Sequence, residues 1–185
     1  DWKRLGLPIQ YLSLNLSPAQ LRDGGSSFSE FLLNVLRRNG LKPDMIQLEI
    51  TETAVLDDPG RIDDVLAALA RMGFLLAIDD FGTGYSSLST LQRLPFTTLK
   101  IDKAFVKGMG RNAKSRDLVQ ACVSIAHNLR LRCVAEGVDS EPDCEMLMRF
   151  GCDYFQGFLF DPGLEASLLE QRLIDQMQAI QVVAV

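Results

Sequence analysis

Six short strand-like runs stand out along the chain: Tyr11–Leu16, Ile46–Thr51, Leu75–Asp80, Thr98–Asp102, Cys133–Glu136 and Tyr154–Phe160. Between them apolar residues recur at helical spacing near Phe28–Asn39, Pro59–Met72, Ser87–Leu94, Lys114–Leu129 and Glu141–Phe150. A last helix is predicted after Pro162, from about Glu165 to Gln178. Gly40, Gly73 and Gly151 fall where helices should end, each shortly before a strand. Strands alternating with helices predict an α/β fold, with parallel strands joined by helical crossovers.

Side chains on a strand alternate between its faces. In the first run Leu12, Leu14 and Leu16 oppose Ser13 and Asn15. In the second, Ile46, Leu48 and Ile50 oppose Gln47 and Glu49, and in the fourth Leu99 and Ile101 oppose Lys100 and Asp102. The apolar faces are expected to pack on outer helices while the polar faces converge. Asn15, Glu49, Asp79, Asp80, Lys100, Asp102 and Glu136 all fall toward strand C-termini, and Gln156 lies in the sixth run. A ring of polar groups at strand C-termini is the arrangement of an active site in a (β/α) barrel, whereas an open doubly wound sheet gathers its site from fewer strands. The expected fold is therefore a TIM-type (β/α)8 barrel of which about six strand-helix units are present. The remaining two strands are expected before residue 1.

Composition narrows the class. The 185 residues are 47% hydrophobic and 23% charged, which suits one globular domain. A net charge of -5 argues against a general nucleic-acid polymer as partner. No apolar run reaches the length of a membrane span, and no signal peptide opens the chain at Asp1. A cytoplasmic domain is expected, which leaves open a membrane anchor elsewhere in a longer protein. Cys122, Cys133, Cys144 and Cys152 lack the close-pair spacing of a zinc site and read as reduced structural thiols. His127, the single histidine, lies in a helical pattern and reads as structural.

Glu49, Asp79, Asp80 and Glu136 would bring four carboxylates to one rim, where like charges repel unless protons or a cation neutralise them. Oxygen ligands without thiolate or imidazole select magnesium, manganese or calcium. The adjacent acids Asp79 and Asp80 suit a pair of ions bridged by Asp79; in phosphoryl displacement such ions sit about 3.5–4 Å apart. Lys100, a lone cation among acids, can orient an attacking water or neutralise a phosphate. The glycine-containing stretch Asp80–Ser87 matches neither the Walker nor the Rossmann spacing, so by itself it reads equally as a phosphate cradle or a turn.

The segments Asn15-Leu16-Ser17, Leu48-Glu49-Ile50-Thr51-Glu52, Asp79-Asp80-Phe81-Gly82-Thr83-Gly84-Tyr85-Ser86-Ser87, Leu99-Lys100-Ile101-Asp102, Ala135-Glu136-Gly137-Val138 and Gln156-Gly157-Phe158 resemble the EAL-domain family in sequence, order and spacing. The resemblance covers nearly all of the chain, 1–185. It implies a divalent-metal-dependent phosphodiesterase that opens cyclic di-GMP to the linear dinucleotide pGpG, with two ions, Mg2+ or Mn2+, on a modified TIM-type (β/α)8 barrel. Asn15, Glu49 and Asp79 would hold the first ion, and Asp79, Asp80 and Glu136 the second. Lys100 would contact the catalytic water and Gln156 support it, with Glu136 in the same catalytic group. Glu52 would brace the Phe81–Ser87 loop, which the family uses in dimer coupling. Asn15, Asp102, Asp139 and Gln156 are the expected substrate contacts. The resemblance also implies a homodimer through that loop and allows sensory or GGDEF domains upstream.

There are departures from the family pattern. The Glu-Ala-Leu signature, whose Glu ligates metal in the family, does not occur within residues 1–185, nor does the Arg that accompanies it. Asp139 stands where members often carry Glu, and Phe158 where many carry Tyr. The alternative expectation is a receptor that binds cyclic di-GMP without cleaving it. Receptors of that kind lose several metal ligands, whereas each ligand position within this chain carries a suitable residue.

Overall fold

A computed structural model describes residues 2, 5–7, 9–22, 26–56, 59–83 and 88–183. The first strand, β1 (Leu12–Asn15), leads into a short helix α1 (Pro18–Arg22) and then α2 (Ser26–Arg38). A 3-10 turn at Pro43–Met45 delivers the chain to β2 (Ile46–Thr51), followed by α3 (Glu52–Leu56) and α4 (Pro59–Arg71). Then come β3 (Leu75–Phe81), α5 (Leu88–Arg93), β4 (Thr98–Ile101), α6 (Lys103–Met109) and α7 (Ala113–Asn128). The chain closes with β5 (Arg132–Glu136), α8 (Glu141–Phe150), β6 (Tyr154–Gln156) and α9 (Ala166–Val183). Gly40, Gly73 and Gly151 adopt φ of 64°, 96° and 81°, the left-handed conformation in which a helix C-cap favours glycine.

All six strands are parallel and pair in chain order, β1 to β6. The sheet is curled into a half-barrel. Tyr11, just before β1, lies 5.3 Å from the guanidinium of Arg132, which opens β5. In a flat sheet four strand spacings of about 4.8 Å would separate them. On the convex side Leu48, Ile50, Leu76, Ile78, Leu99 and Ile101 are fully buried, in one core with Leu66 and Leu69 of α4 and Val119, Val123 and Ala126 of α7. Each such side chain contributes about 1.5–3 kcal/mol, so the outer layer fixes the strands that carry the concave face.

Two expectations need correction. The sixth strand ends at Gln156 and does not run to Phe160, because the chain turns there onto the segment after β5. Val138 N donates to Gln156 O at 3.0 Å and Leu159 N to Val138 O at 3.1 Å. Gly157 permits this approach, since a Cβ there would collide with the Val138 backbone. The second concerns β1. Leu16 is buried, but Leu12 and Leu14 are 42% and 41% exposed and not packed under an outer helix. The helix that follows them has only five residues and packs against α4.

Candidate active site

The concave face is organised around one ammonium group. Lys100, on β4, is 3% exposed. Its Nζ lies 2.7 Å from Glu49 Oε2 of β2, 3.0 Å from Asp79 Oδ1 of β3 and 2.6 Å from Glu136 Oε1 of β5. Period-two alternation puts all four side chains on the same side, and the curl of the sheet lets them meet. Burial works against the charge on Lys100, but hydrogen bonds to Glu136 and Glu49 override it and hold the ammonium above its ordinary pKa. Glu136 is displaced upward by burial, with Lys100 pulling the other way and Asp79 and Glu49 adding to the rise.

Asp79 and Asp80 are adjacent, so strict alternation would send them to opposite faces. The register of β3 on β4 shifts between Ile78 and Phe81, and Asp80 adopts φ 55°. This irregularity brings carboxylate oxygens of Asp79, Asp80 and Glu136 within 4.8 Å of one another. Asp80 N donates to Asp79 Oδ1 at 3.1 Å. The Asp80 carboxyl is displaced upward by burial, by the charge of Asp79 and by a hydrogen bond with Asp102. A close group of hard oxygen donors, in which the charge of Asp79 adds to the upward displacement of Asp80 and Glu136, fits a divalent cation of the magnesium, manganese or calcium type.

The segment after β3 is tied back to α3. Glu52, 2% exposed, accepts from Gly82 N at 3.0 Å. Gly82 has φ 98°, and Thr83 Oγ1 donates to Asp80 O at 2.8 Å. Residues 84–87, which complete the loop expected to couple a dimer, lie outside the described residues, as does the expected helix start at Ser87.

The remaining expected residues lie around this cluster. Asn15 ends β1 as the Cα partner of Glu49, and Gln156 ends β6 as the partner of Glu136; both are exposed. Asp102 is buried, caps α6 by accepting from Ala104 N at 2.8 Å, and meets Asp80. Asp139 is tied to Lys107 Nζ at 2.7 Å and to Phe158 N at 3.2 Å, and the Lys107 ammonium holds its carboxyl below the usual range. The structure thus gathers Glu49, Asp79, Asp80, Lys100, Asp102 and Glu136, with Asn15 and Gln156 flanking them by register. It engages Asp139 with Lys107.

Lys107 escapes the sequence reading because α6 was not among the predicted helices. The available signal was Asp102, an N-cap residue one position before it. His127 pairs with Asp153 at 3.0 Å, and that carboxylate also accepts from Cys133 N at 2.7 Å, so both tie α7 to β5. The four cysteines are free and buried, and burial pushes the Cys122 thiol up to about 11.

Comparisons with known proteins bear on the family and the fold. The EAL domain family model matches residues 1–162. The bifunctional diguanylate cyclase/cyclic di-GMP phosphodiesterase MucR of Pseudomonas aeruginosa is 39% identical over 158 residues, 85% of this chain and 23% of that protein. The crystal structure of the EAL domain of Mycobacterium smegmatis DcpA superposes with a TM-score of 0.86 at 38% identity, covering 94% of this chain and 78% of that one. The manganese/cyclic di-GMP complex of Klebsiella pneumoniae BlrP1 at pH 9.0 gives a TM-score of 0.78 at 35% identity, covering 85% and 40%. The chain spans about a quarter of the length of the curated relatives it matches. Matched in sequence over residues 1–162 and in fold by these structures, the chain belongs to the EAL domain family.

Proposed function

We propose that this chain forms most of a phosphodiesterase domain that hydrolyses cyclic di-GMP to linear pGpG with two divalent cations, Mg2+ or Mn2+. The observation that carries the reading is the Asp79, Asp80 and Glu136 cluster beside the buried Lys100. Asn15, Glu49 and Asp79 would hold one ion, and Asp79, Asp80 and Glu136 the other. The bound ions would supply Lewis-acid activation of water and charge neutralisation at the phosphodiester.

The chain's own residues define the rest of the chemistry. Lys100 places a fixed positive charge among the carboxylates, where it can orient a water or meet a phosphate oxygen. Gln156 and Asn15 set neutral donors and acceptors at the two flanks, suited to the water and the substrate. Asp102 and Asp139 stand on the substrate side of the same reading. Glu52 keeps the segment after Asp80 in place through Gly82. Hydrolysis breaks one of the two phosphodiester bonds with one water and leaves a 5′-phosphate on the linear product. A cytoplasmic site of action, pairing through the Phe81–Ser87 loop, and sensory or GGDEF domains upstream belong to the same proposal. Among the described residues no helix is long and apolar enough to cross a membrane.

The test is calorimetry of Mn2+ binding, then of cyclic di-GMP binding in Mn2+ and in EDTA, with chromatography of the products. Because Glu-Ala-Leu does not occur within residues 1–185, binding is the first readout, and turnover by these residues alone is expected to be very slow or nil. Mn2+ should bind, cyclic di-GMP should follow only with the metal, and Asp79→Asn should weaken both at least about tenfold. Equal affinity for cyclic di-GMP in EDTA would overturn the proposal. Tight binding that yields no product even in a longer chain carrying the signature Glu upstream would favour the receptor.

A further inference from the structure

We infer that Gln47 and Thr98 are positioning residues of the carboxylate site, acting through a buried hydrogen-bonded layer beneath it. The inference rests on the metal-binding reading for only one of its two tests. Glu49 and Lys100 sit on β2 and β4, which are not neighbours in the sheet, since β3 runs between them. Their ion pair crosses β3 at 2.7 Å. Two residues earlier on the same strands, Gln47 and Thr98 make the same crossing, with Thr98 Oγ1 donating to Gln47 Oε1 at 2.8 Å. Gln47 Nε2 donates onward to Ser13 Oγ of β1 at 3.0 Å. Gln47 is 2% exposed and Thr98 is fully buried. On the strand between them, Ala77 is the Cα partner of both Glu49 and Thr98. Two residues from Asp79, it presents only a methyl group to this face and leaves room for the crossing.

Two rungs constrain more than one. β2 and β4 are each laddered to β3 and not to one another, so side-chain rungs are what tie them directly across the concave face. A second rung, about 6.6 Å away along the strands, adds to the constraint that the backbone ladders and the ion pair already place on their inner-face side chains. The Lys100 stem has four rotatable carbons, and its ammonium meets three carboxylates together only when β4 is held at the right height. Both atoms of the Thr98–Gln47 bond are shielded from water, so removing the donor leaves a buried acceptor without a substitute. Gln47 and Thr98 thereby set where Glu49 and Lys100 stand.

Thr98→Val removes the hydroxyl and keeps the shape, while Thr98→Ser keeps the hydroxyl. With 15N-labelled lysine, the buried Lys100 ammonium should give a signal protected from solvent exchange, identified by its loss in Lys100→Met. Thr98→Val should make that exchange about tenfold faster and weaken Mn2+ binding about tenfold, as the loss of a supporting partner does, with unchanged circular dichroism. Thr98→Ser should restore both to within about twofold of the original chain. Should Thr98→Val fail to fold, Gln47→Met breaks the same bond from the other side and decides the question. A folded variant with unchanged ammonium exchange overturns the inference. Absence of Mn2+ binding in the original chain refutes the metal reading alone, and the ammonium signal then decides this one.

Discussion

Glu49 and Asn15 are Cα partners on adjacent strands, yet Glu49 is 8% exposed and bonded to Lys100, while Asn15 stands open to solvent. The same contrast separates Glu136 from Asp139, three residues on. The first is drawn into the Lys100 cluster, the second tied to Lys107 at the surface. On β2, β3 and β4 each strand has neighbours on both sides and helices across its outer face, so polar side chains on the inner face are shielded and must find one another. On β1 and β6 the described residues supply one neighbour only. A shared height along the strands is therefore not enough to make a tightly held site: lateral enclosure supplies the low-dielectric surroundings in which a carboxylate and an ammonium hold each other firmly.

The comparison breaks most visibly at its centre. Lys100→Met should cost about 3–5 kcal/mol in urea unfolding, because two buried carboxylates, Glu49 and Asp79, and the half-buried Glu136 lose their counter-charge, and excess Mn2+ should return part of that stability. Lys107→Met should leave the unfolding midpoint nearly where it was. Equal losses in the two variants would mean that enclosure is not what distinguishes the regions.

The apolar side gives a second, smaller contrast. Leu48→Ala, at a fully buried position of β2, should destabilise by about 2–4 kcal/mol. Leu14→Ala on the exposed β1 should change stability by less than about 0.5 kcal/mol. Thermal unfolding of both variants in one buffer measures the difference. A Leu14→Ala loss as large as that of Leu48→Ala would show β1 to be enclosed in solution.

The smallest effect concerns pH at Asp139. Its pKa is lowered by Lys107, so in the folded state it gives up its proton more readily than in the unfolded chain. The contribution is thus present above the ordinary value of 3.8 and lost as pH falls through the lowered one. Solvent screens this exposed pair, so the acid limb of the stability curve should differ only slightly between the original chain and Asp139→Asn. A large displacement of that limb would place Asp139 in a far more enclosed setting.

Much of this was legible in the residues. The β2 run Ile46–Thr51 and the helix Glu141–Phe150 are found at the boundaries their patterns predict. Alternation put Glu49 and Lys100 on converging polar faces and, with the other strand-end polar groups, pointed to the barrel, while the resemblance of six motif segments implied the family. What could not be read has physical reasons. Helices α1, α3 and α6 have five, five and seven residues, too few for a 3.6-residue period to declare itself. Asp80 was expected beside Asp79 at the rim, but the register shift and positive φ that bring it there do not follow from a strand pattern. Gln47 and Thr98 were visible as polar or small residues two positions before Glu49 and Lys100, but their pairing across β3 depends on a curl that no single segment encodes. Leu12 and Leu14 show the reverse: apolar alternation specifies a face, and only the rest of the fold decides whether that face is covered.

Strand order in the sheet is the order of synthesis, β1 through β6. A chain emerging N-terminus first can add each strand to an edge already formed, and no strand waits for a distant partner to arrive. The charges of the site then assemble in sequence as well. Glu49 and Asp79 are in place before Lys100 exists, so the nascent sheet carries two facing acids whose repulsion opposes its closing until β4 docks. Lys100 relieves that repulsion, and Glu136 then draws β5 onto the same ammonium. In the finished sheet the one ammonium of β4 thus answers carboxylates carried by the strands made before it and after it.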